Sequence, residues 1–351
     1  MICRIEFSEE LNLKQVKKKL KGLLIVAAAA FFMCACGNNT QEELSKTTDK
    51  LNIVCASFPE YDWTRKIIGQ DNDKFQLILI ADNGMDIHNY QPSVEDMALI
   101  DDCDLLIYNG GISEQWIEDI LADSEKKPKV ISMMECLEAD VVEEEIIEGM
   151  EQEGNHEHDS EEAEHDHDSD NEETEYDEHV WLSLKNAKKI VQEIGNALKT
   201  LDSQQSDIYQ VNMDTYLEQL EALDTSYEEA VKEAKNNTLL FGDRFPFRYL
   251  TKDYGINYYA AFPGCSAETE ASFETIVFLA QKVEENHLPC ILTIDGSDKS
   301  IAQSILGNVK GEAAIKELNS LQAVSEKQIE EGMTYLSVMK SNLEVIKEAL
   351  Q

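Results

Sequence analysis

The chain has 351 residues, of which 42% are hydrophobic, and its formal net charge is −40 at pH 7. This length suits two domains of ordinary size, and the hydrophobic share is enough to build buried cores. The acidic balance excludes nucleic acid and anionic lipid as main partners, because both require Lys and Arg to neutralise phosphate. Cations are the natural ligands of such a chain.

The first 36 residues have the features of a secretory signal. Lysines between positions 14 and 21 precede an apolar run, residues 23–33, which is too short to span a bilayer. Residues 33–37 (MCACG) resemble a bacterial lipobox with Cys36 as the lipidated residue. We therefore expect a lipoprotein signal peptide over 1–36, a polar tether over 37–50, and an extracytoplasmic protein anchored to the cell membrane. An ordinary cleaved secretory signal is the alternative.

Apolar and amphipathic segments alternate along the rest of the chain. Short apolar runs predict strands at 51–56, 75–80, 105–108, 129–133, 238–242, 256–260, 290–294 and 321–324. Helical patterns follow at 58–69, from Ser93 and from Ser113, both serines in N-cap positions, and at 184–201, 271–285, 299–306 and 326–350. This alternation predicts an α/β fold with two lobes, each a mostly parallel sheet flanked by helices.

One long helix is expected to join the two lobes. Residues 206–235 contain no Pro or Gly, and apolar residues such as Ile208, Val211, Leu217 and Leu220 recur along them. We therefore predict an N-terminal lobe at 51–205, a bridging helix at 206–236 and a C-terminal lobe at 237–351. A coiled-coil arm is the alternative, but the apolar spacing is too irregular for heptads. Two lobes joined in this way form a cleft, where small ligands bind.

An acidic, histidine-rich segment interrupts the first lobe. Residues 151–178 contain fifteen Asp or Glu, four of the seven histidines and no Lys or Arg. Such a composition cannot form a core, and its side chains suit Zn, Mn, Ni or Cu. We predict a disordered metal-attracting loop at 150–178. A solvated acidic loop with incidental histidines is the alternative.

Four possible metal ligands come after predicted strands. They are His88, His179, Asp243 and Asp295, two from each half of the chain. Ligands of open parallel sheets bind beyond the carboxyl ends of the strands, so we expect these side chains to meet in one cleft. Imidazole and carboxylate are suitable donors for Zn or Mn. Cys265 and Cys290 are a possible disulfide, which the sequence alone cannot establish.

Several motifs together resemble a known family. Residues 84–93 (GMDIHNYQPS) look like the first metal-ligand loop of the zinc- and manganese-binding solute-binding lipoproteins of ABC metal importers. Supporting motifs are 57–59 (SFP), 104–111 (DLLIYNGG), 177–182 (DEHVWL), the histidine-rich loop and 249–255. The resemblance extends over essentially all of residues 51–350. It implies two α/β lobes bridged by a rigid helix, with one ion held between them.

The resemblance carries His88 and His179 over as metal ligands. The family has His, or Glu in manganese binders, five residues before the tyrosine that Tyr249 matches, but this chain has Arg244 there. Asp243, the preceding residue, is the expected replacement. The alternative is a different cargo altogether, with Arg244 binding an anion or pairing with a carboxylate.

The fourth, acidic ligand of the family falls near Asp295. Asp298 is an alternative three residues further on. Glu268 and Glu270 are further candidates for the cleft, but we expect them to cap a helix or to lie at the surface. An Asp in place of a His would move the preference of the site from Zn²⁺ towards Mn²⁺.

The function that the resemblance implies is high-affinity binding of Zn²⁺, with Mn²⁺ as the alternative, and delivery of the ion to an ABC permease. We expect a monomer without enzymatic activity. The first competing hypothesis is a secreted zinc hydrolase, but residues 156–159 and 165–168 lack the further histidine that such motifs require, and no His-Glu-x-x-His occurs. The second is a metal-binding surface adhesin on the same fold.

Overall fold

The computed structural model describes residues 50–69, 73–151, 175–266 and 270–351. The signal segment with Cys36, most of the tether and residues 152–174 of the histidine-rich loop lie outside these ranges. None of the helices in the described ranges combines the length and the apolar character that crossing a membrane requires.

Two parallel four-stranded sheets with the same strand order organise the chain. The first sheet has the order β2-β1-β3-β4 and the second β6-β5-β7-β8, and every pairing is parallel. The strands are β1 Leu51–Cys55, β2 Phe75–Leu79, β3 Leu105–Tyr108, β4 Lys129–Ser132, β5 Thr238–Phe245, β6 Asn257–Pro263, β7 Cys290–Ile294 and β8 Ala314–Leu318. The predicted two-lobed α/β fold class is therefore confirmed.

Helices connect and flank the strands. They are α1 Phe58–Ile68, α2 Val94–Asp101, α3 Gln115–Asp123, α4 Met133–Leu137, α5 Leu184–Leu201, α6 Ser206–Glu233, α7 Arg248–Tyr254, α8 Phe273–Glu285, α9 Ser300–Asn308, α10 Glu326–Glu330 and α11 Tyr335–Ala349. The longest, α6, has 28 residues, which corresponds to about 42 Å. It lies in the chain between the two sheets.

The buried stripe of α6 differs from the predicted one. Tyr209, Met213, Tyr216, Leu220, Leu223 and Tyr227 are buried, at alternating spacings of four and three residues. Ile208 and Val211 are 51% and 63% exposed, so the expectation that they face the core was wrong. The apolar bodies of the tyrosines form much of the buried face, and the hydroxyls of Tyr209 and Tyr227 donate to Asp202 Oδ2 and Met339 O.

Three predicted elements of the chain were wrong. Residues 321–323 are bends and not part of a strand, and the fourth strand of the second sheet is β8, whose side chains are mostly half-buried or exposed. The predicted helix 326–350 is two helices, separated where Gly332 adopts φ 98°. Ser113 does not cap α3, because it lies inside the 3-10 turn Ile112–Glu114 that precedes this helix.

One apolar core extends through both halves. It includes Trp63 and Trp181 from the first half and Phe241 and Tyr335 from the second, all of them fully buried. The rings of Trp63 and Tyr335 pack edge to face with their centroids 5.0 Å apart. Because this core is shared, the two sheets are held in one arrangement by apolar packing as well as by α6.

A buried glutamate orders the turn after β3. Glu114 Oε2 accepts hydrogen bonds from the backbone N–H groups of Asn109, at 2.7 Å, and Gly110, at 2.9 Å. Burial, and next the nearby Glu60 carboxyl, raise the pKa of Glu114 from 4.5 to about 8. The folded state thus holds a proton on Glu114 at pH values where the unfolded chain has released it.

We predict that Glu114→Gln makes the protein less sensitive to rising pH. Between pH 4.5 and about 8 the folded state of the wild type binds one more proton here than the unfolded state, so this group lowers the unfolding free energy as pH rises. The slope from one such group is at most about 1.4 kcal/mol per pH unit. Urea unfolding at several pH values should show a shallower decline for Glu114→Gln and an unchanged decline for the exposed control Glu118→Gln. Equal slopes for all three proteins would contradict this assignment.

Candidate functional site

Two histidines from distant parts of the chain meet at the carboxyl ends of the strands. His88 lies in the 3-10 turn Ile87–Asn89 after β2, and His179 follows the long insertion after β4. Their Nε2 atoms are 2.9 Å apart, although 91 residues separate them in the chain. His179 is fully buried and His88 is largely buried. The sequence-based expectation that these two rings meet is therefore confirmed.

Oxygen atoms hold the opposite side of each imidazole. Asp177 Oδ1 accepts hydrogen bonds from the backbone N–H of His179, at 2.9 Å, and from its Nδ1, at 3.0 Å. The Nδ1 atom of His88 lies 2.7 Å from Ser113 Oγ. With Nδ1 of His179 donating to a carboxylate, its Nε2 carries the lone pair that can bind a cation.

The electrostatic setting favours the neutral form of His88. Burial, and next the charge on His179, lower its pKa from 6.5 to about 3. The backbone N–H of His88 donates to Asp86 Oδ1 at 3.0 Å, which fixes the turn that carries the ring. An imidazole that stays neutral can donate its lone pair to a metal without first losing a proton.

Two further side chains approach the histidine pair. Cys265 belongs, with His88 and His179, to the one group of three or more metal-ligand side chains found among the described residues, with ligand atoms all within 4.8 Å of one another. Gln322 Nε2 lies 2.8 Å from His179 Nε2, and Gln322 is 3% exposed. Burial raises the pKa of the Cys265 thiol, and the Glu144 carboxyl raises it further.

Two buried oxygen atoms beside the pair have no hydrogen-bond partner among the described residues. They are Gln322 Oε1 and Glu178 Oε2. Glu178 Oε2 is 3.6 Å from Nδ1 of His88, and its other oxygen accepts the backbone N–H of Ser113 at 3.0 Å. A buried acceptor without a partner is costly, so both atoms mark a place where a cation or a donor is favourable.

The structure does not include Asp243 or Asp295 in the ligand group of the histidine pair. Asp243 lies within β5, where its Oδ1 accepts the N–H of Arg244 at 2.9 Å and its Oδ2 the N–H of Ile294 at 3.4 Å. Asp295 Oδ1 accepts the N–H and the hydroxyl of Ser320, at 2.5 and 2.7 Å, and burial raises the pKa of Asp295. Both carboxylates line a cleft of about 380 Å³ between the two halves.

Arg244 pairs with a carboxylate of the opposite half. Its guanidinium lies 2.6 Å from Asp86 Oδ2, in the loop that carries His88. Burial alone would raise the pKa of Asp86, but the Arg244 charge lowers it below its ordinary value. This ion pair links β5 to the His88 loop across the cleft.

The remaining candidates lie away from the histidines or outside the described residues. Asp298 is exposed and accepts the N–H of Ser300 at 2.8 Å, at the start of α9. Glu270 is exposed, and Glu268 lies outside the described ranges. Cys265 and Cys290 are both free thiols, so the possible disulfide is absent from the structure.

Sequence reasoning missed Ser113, Cys265 and Gln322. Each follows a strand of the two sheets: Ser113 follows β3, Cys265 follows β6 and Gln322 follows β8. The expectation that ligands lie beyond the carboxyl ends of strands, applied to β6, would have found Cys265. This cysteine was instead considered as a disulfide partner. Gln322 could not be found because residues 321–324 were themselves predicted as a strand.

Residues 53–349 match the model of the family described as ZnuA, zinc-uptake complex component A, periplasmic. The zinc-binding lipoprotein AdcA of Streptococcus pneumoniae is 30% identical over 93% of this chain, which spans 60% of that relative's length. The high-affinity zinc uptake system protein ZnuA of Bacillus subtilis is 29% identical over 95% of this chain and 98% of its own. The crystal structure of the Zn(II)-bound ZnuA-like domain of S. pneumoniae AdcA superposes with a TM-score of 0.64 at 26% identity, covering 86% of this chain and 99% of that domain.

We predict that Gly264→Ala destabilises the fold by displacing the ring of His179. A Cβ atom at position 264 would lie 2.9 Å from both His179 Cε1 and the carbonyl oxygen of Phe245. Such overpacking costs about 1–3 kcal/mol, which urea unfolding would measure. Gly307→Ala is the control, because nothing lies within 4 Å of its Cβ position and alanine favours the helix. Equal stability of Gly264→Ala and the wild type would contradict the close packing at His179.

Proposed function

Because this chain belongs to the ZnuA family of zinc-uptake complex components, we propose that it binds one Zn²⁺ ion outside the cytoplasm and delivers it to the permease of an ABC importer. The observation that carries this proposal is the buried pair of imidazoles with facing Nε2 atoms. The homologues named as zinc-binding or zinc-uptake proteins support Zn²⁺ over Mn²⁺ as the ion.

The spacing of the two rings suits a shared zinc ion. Zn–N distances of about 2.0–2.1 Å in a tetrahedron separate two nitrogen ligands by about 3.3 Å. The Nε2 atoms lie 2.9 Å apart, so a shift of a few tenths of an ångström would admit the ion. Asp177 behind His179 is the kind of carboxylate partner that fixes a metal-bound imidazole and increases its basicity.

Asp243 and Asp295 remain predicted ligands of the same ion. Each would have to leave a backbone N–H group that it now binds, Asp243 those of Arg244 and Ile294, and Asp295 that of Ser320. Their present role is to shape the cleft wall on the side of the second sheet. They also contribute negative charge that attracts a cation towards the site.

Delivery to a permease requires that the ion be held tightly but not chemically changed. We propose that the protein has no catalytic step, because its site is built from donors that surround an ion rather than from a nucleophile with an open coordination position. We also propose that it acts as a monomer, anchored through Cys36 to the membrane that holds the permease. This anchor would keep the protein close to its partner.

The histidine-rich segment has a separate proposed role. Its residues 152–174 lie outside the described part of the chain, while the ends of the insertion are paired, with an antiparallel bridge between Glu143 and Tyr176. We propose that the segment binds several ions weakly and raises their concentration near the cleft. The tight site does not depend on it, since Asp177 and His179 lie beyond its end.

We predict that His88→Ala and His179→Ala each abolish tight zinc binding. Changes to residues behind a metal ligand cost about 10–100-fold in affinity, so loss of a ligand should cost at least about 100-fold. Competition titration of zinc against a chelator of known affinity would measure it. His287→Asn is the matched control, because His287 is exposed at φ 51°, a conformation that Asn tolerates. Unchanged zinc affinity in both alanine variants would refute the proposed site.

We predict that deleting residues 152–174 lowers the number of zinc ions bound but leaves the tight dissociation constant unchanged. The deletion must stop before Asp177, because this residue orients His179. Native mass spectrometry would count the ions, and chelator competition would give the tight constant. Loss of tight binding in this variant would show that the ligands lie in the deleted segment.

A further inference from the structure

The loop after β6 places a thiol beside the two imidazoles. Cys265 follows Pro263 and Gly264 at the carboxyl end of β6, and its ligand atom lies within 4.8 Å of those of His88 and His179. We propose that the Cys265 thiolate takes the place of Asp243 as the third protein ligand of the ion, so that two histidines and one cysteine form the core of the site. This inference rests on the proposed function and specifies the donor set of the same site.

The position of Cys265 is fixed by its neighbours on both sides. Its backbone N–H donates to Glu144 Oε1 at 3.1 Å, at the base of the insertion. Gly264 packs against the ring of His179 so closely that it leaves no room for a side chain. The loop therefore holds the cysteine next to His179. In a tetrahedral zinc site a sulfur and a nitrogen ligand are about 3.6 Å apart, so a contraction of at most about 1.2 Å completes the geometry.

The thiol is also accessible to an incoming ion. Cys265 is half-buried and lines a second cleft of about 490 Å³, together with Ser113, Glu144 and Glu178. Two of these neighbours are carboxylates, which attract a cation to the opening. Cys265 is free of any disulfide, so its sulfur is available as a ligand.

A second observation points to a cation at the same place. Gln322 is buried, its amide lies 2.8 Å from His179 Nε2, and its Oε1 has no hydrogen-bond partner among the described residues. A half-turn of the amide would bring this oxygen to the position of the nitrogen and so towards the ion. The unsatisfied oxygen is explained if the bound state contains a cation there.

Asp243 and Asp86 are less suited than Cys265 to complete the site. Both oxygens of Asp243 accept backbone N–H groups, and Asp86 is paired with Arg244. On binding, a zinc–sulfur bond forms, the S–H bond breaks and the proton leaves to solvent. A thiolate donor favours Zn²⁺ over Mn²⁺, since the harder Mn²⁺ prefers oxygen. The donor set therefore specifies zinc more strongly than an Asp would.

The test is spectroscopy on the full chain loaded with one equivalent of metal. With zinc, X-ray absorption should show one sulfur neighbour at about 2.3 Å together with nitrogen neighbours at about 2.0–2.1 Å. With Co²⁺, the wild type should show the near-ultraviolet charge-transfer absorption of a cobalt thiolate. Cys265→Ser should lose both signals and bind zinc at least about tenfold more weakly. Cys136→Ser, at a cysteine of the same half-buried class, should keep both.

The outcomes separate this inference from the proposed function. Tight zinc binding by the wild type with only nitrogen and oxygen neighbours would overturn the role of Cys265 and leave the proposed function standing. Persistence of the sulfur signal in Cys265→Ser would overturn it as well. Absence of any tight site in the wild type would overturn both. The wild-type spectrum decides the question without a variant, so misfolding of Cys265→Ser cannot obscure the result.

Discussion

The site depends on one contact, the approach of two imidazole rings to a distance of 2.9 Å between their Nε2 atoms. Two neutral rings this close can share only one proton between those atoms, whereas a cation between them accepts a lone pair from each. Their outer nitrogens lie against oxygens of Asp177 and Ser113, so side chains that need not touch the ion set the orientation of both rings. These polar contacts hold the two rings in this geometry.

Hydrogen bonds connect residues 177–181, the segment that contains His179, to the second half of the chain. The Tyr249 hydroxyl donates to the carbonyl of Asp177 at 2.7 Å, the indole of Trp181 donates to Ser320 O at 2.9 Å, and the Tyr335 hydroxyl donates to Trp181 O at 2.6 Å. Since the apolar core is also continuous across the halves, a wide opening of the cleft would expose packed side chains. His88 and Cys265 lie on loops that are less buried than the His179 segment. Movement of these two candidate ligands would therefore release an ion most easily.

The fold was predictable where burial was complete and harder to predict where it was partial. The strand 290–294 has five buried residues, and its continuous apolar run identified both of its ends. β8 has the sequence AIKEL and is mostly half-buried or exposed, so the more apolar segment 321–324 was preferred to it. Tyr209 and Tyr216 of α6 were likewise left out of the predicted apolar pattern, because a tyrosine hydroxyl obscures how much apolar surface the ring buries.

Ligands of open parallel sheets bind beyond the carboxyl ends of the strands, and this strand-end rule predicted site residues only where the strands themselves were placed correctly. The rule found His88 and His179, and it would have reached Cys265 and Gln322 had β6 been followed to its end and β8 been placed correctly. At the position where the related family has its third ligand, Arg244 reaches instead to Asp86 and occupies that part of the cleft with an ion pair. β6 and β7 are the two neighbours of β5 in the sheet, so the carboxyl end of β6 is one of the two nearest alternative origins for a donor to the same ion. A sequence motif cannot show that a ligand on one strand has been replaced by a ligand from the adjacent strand. The two positions are far apart in the chain and become neighbours only when the sheet forms.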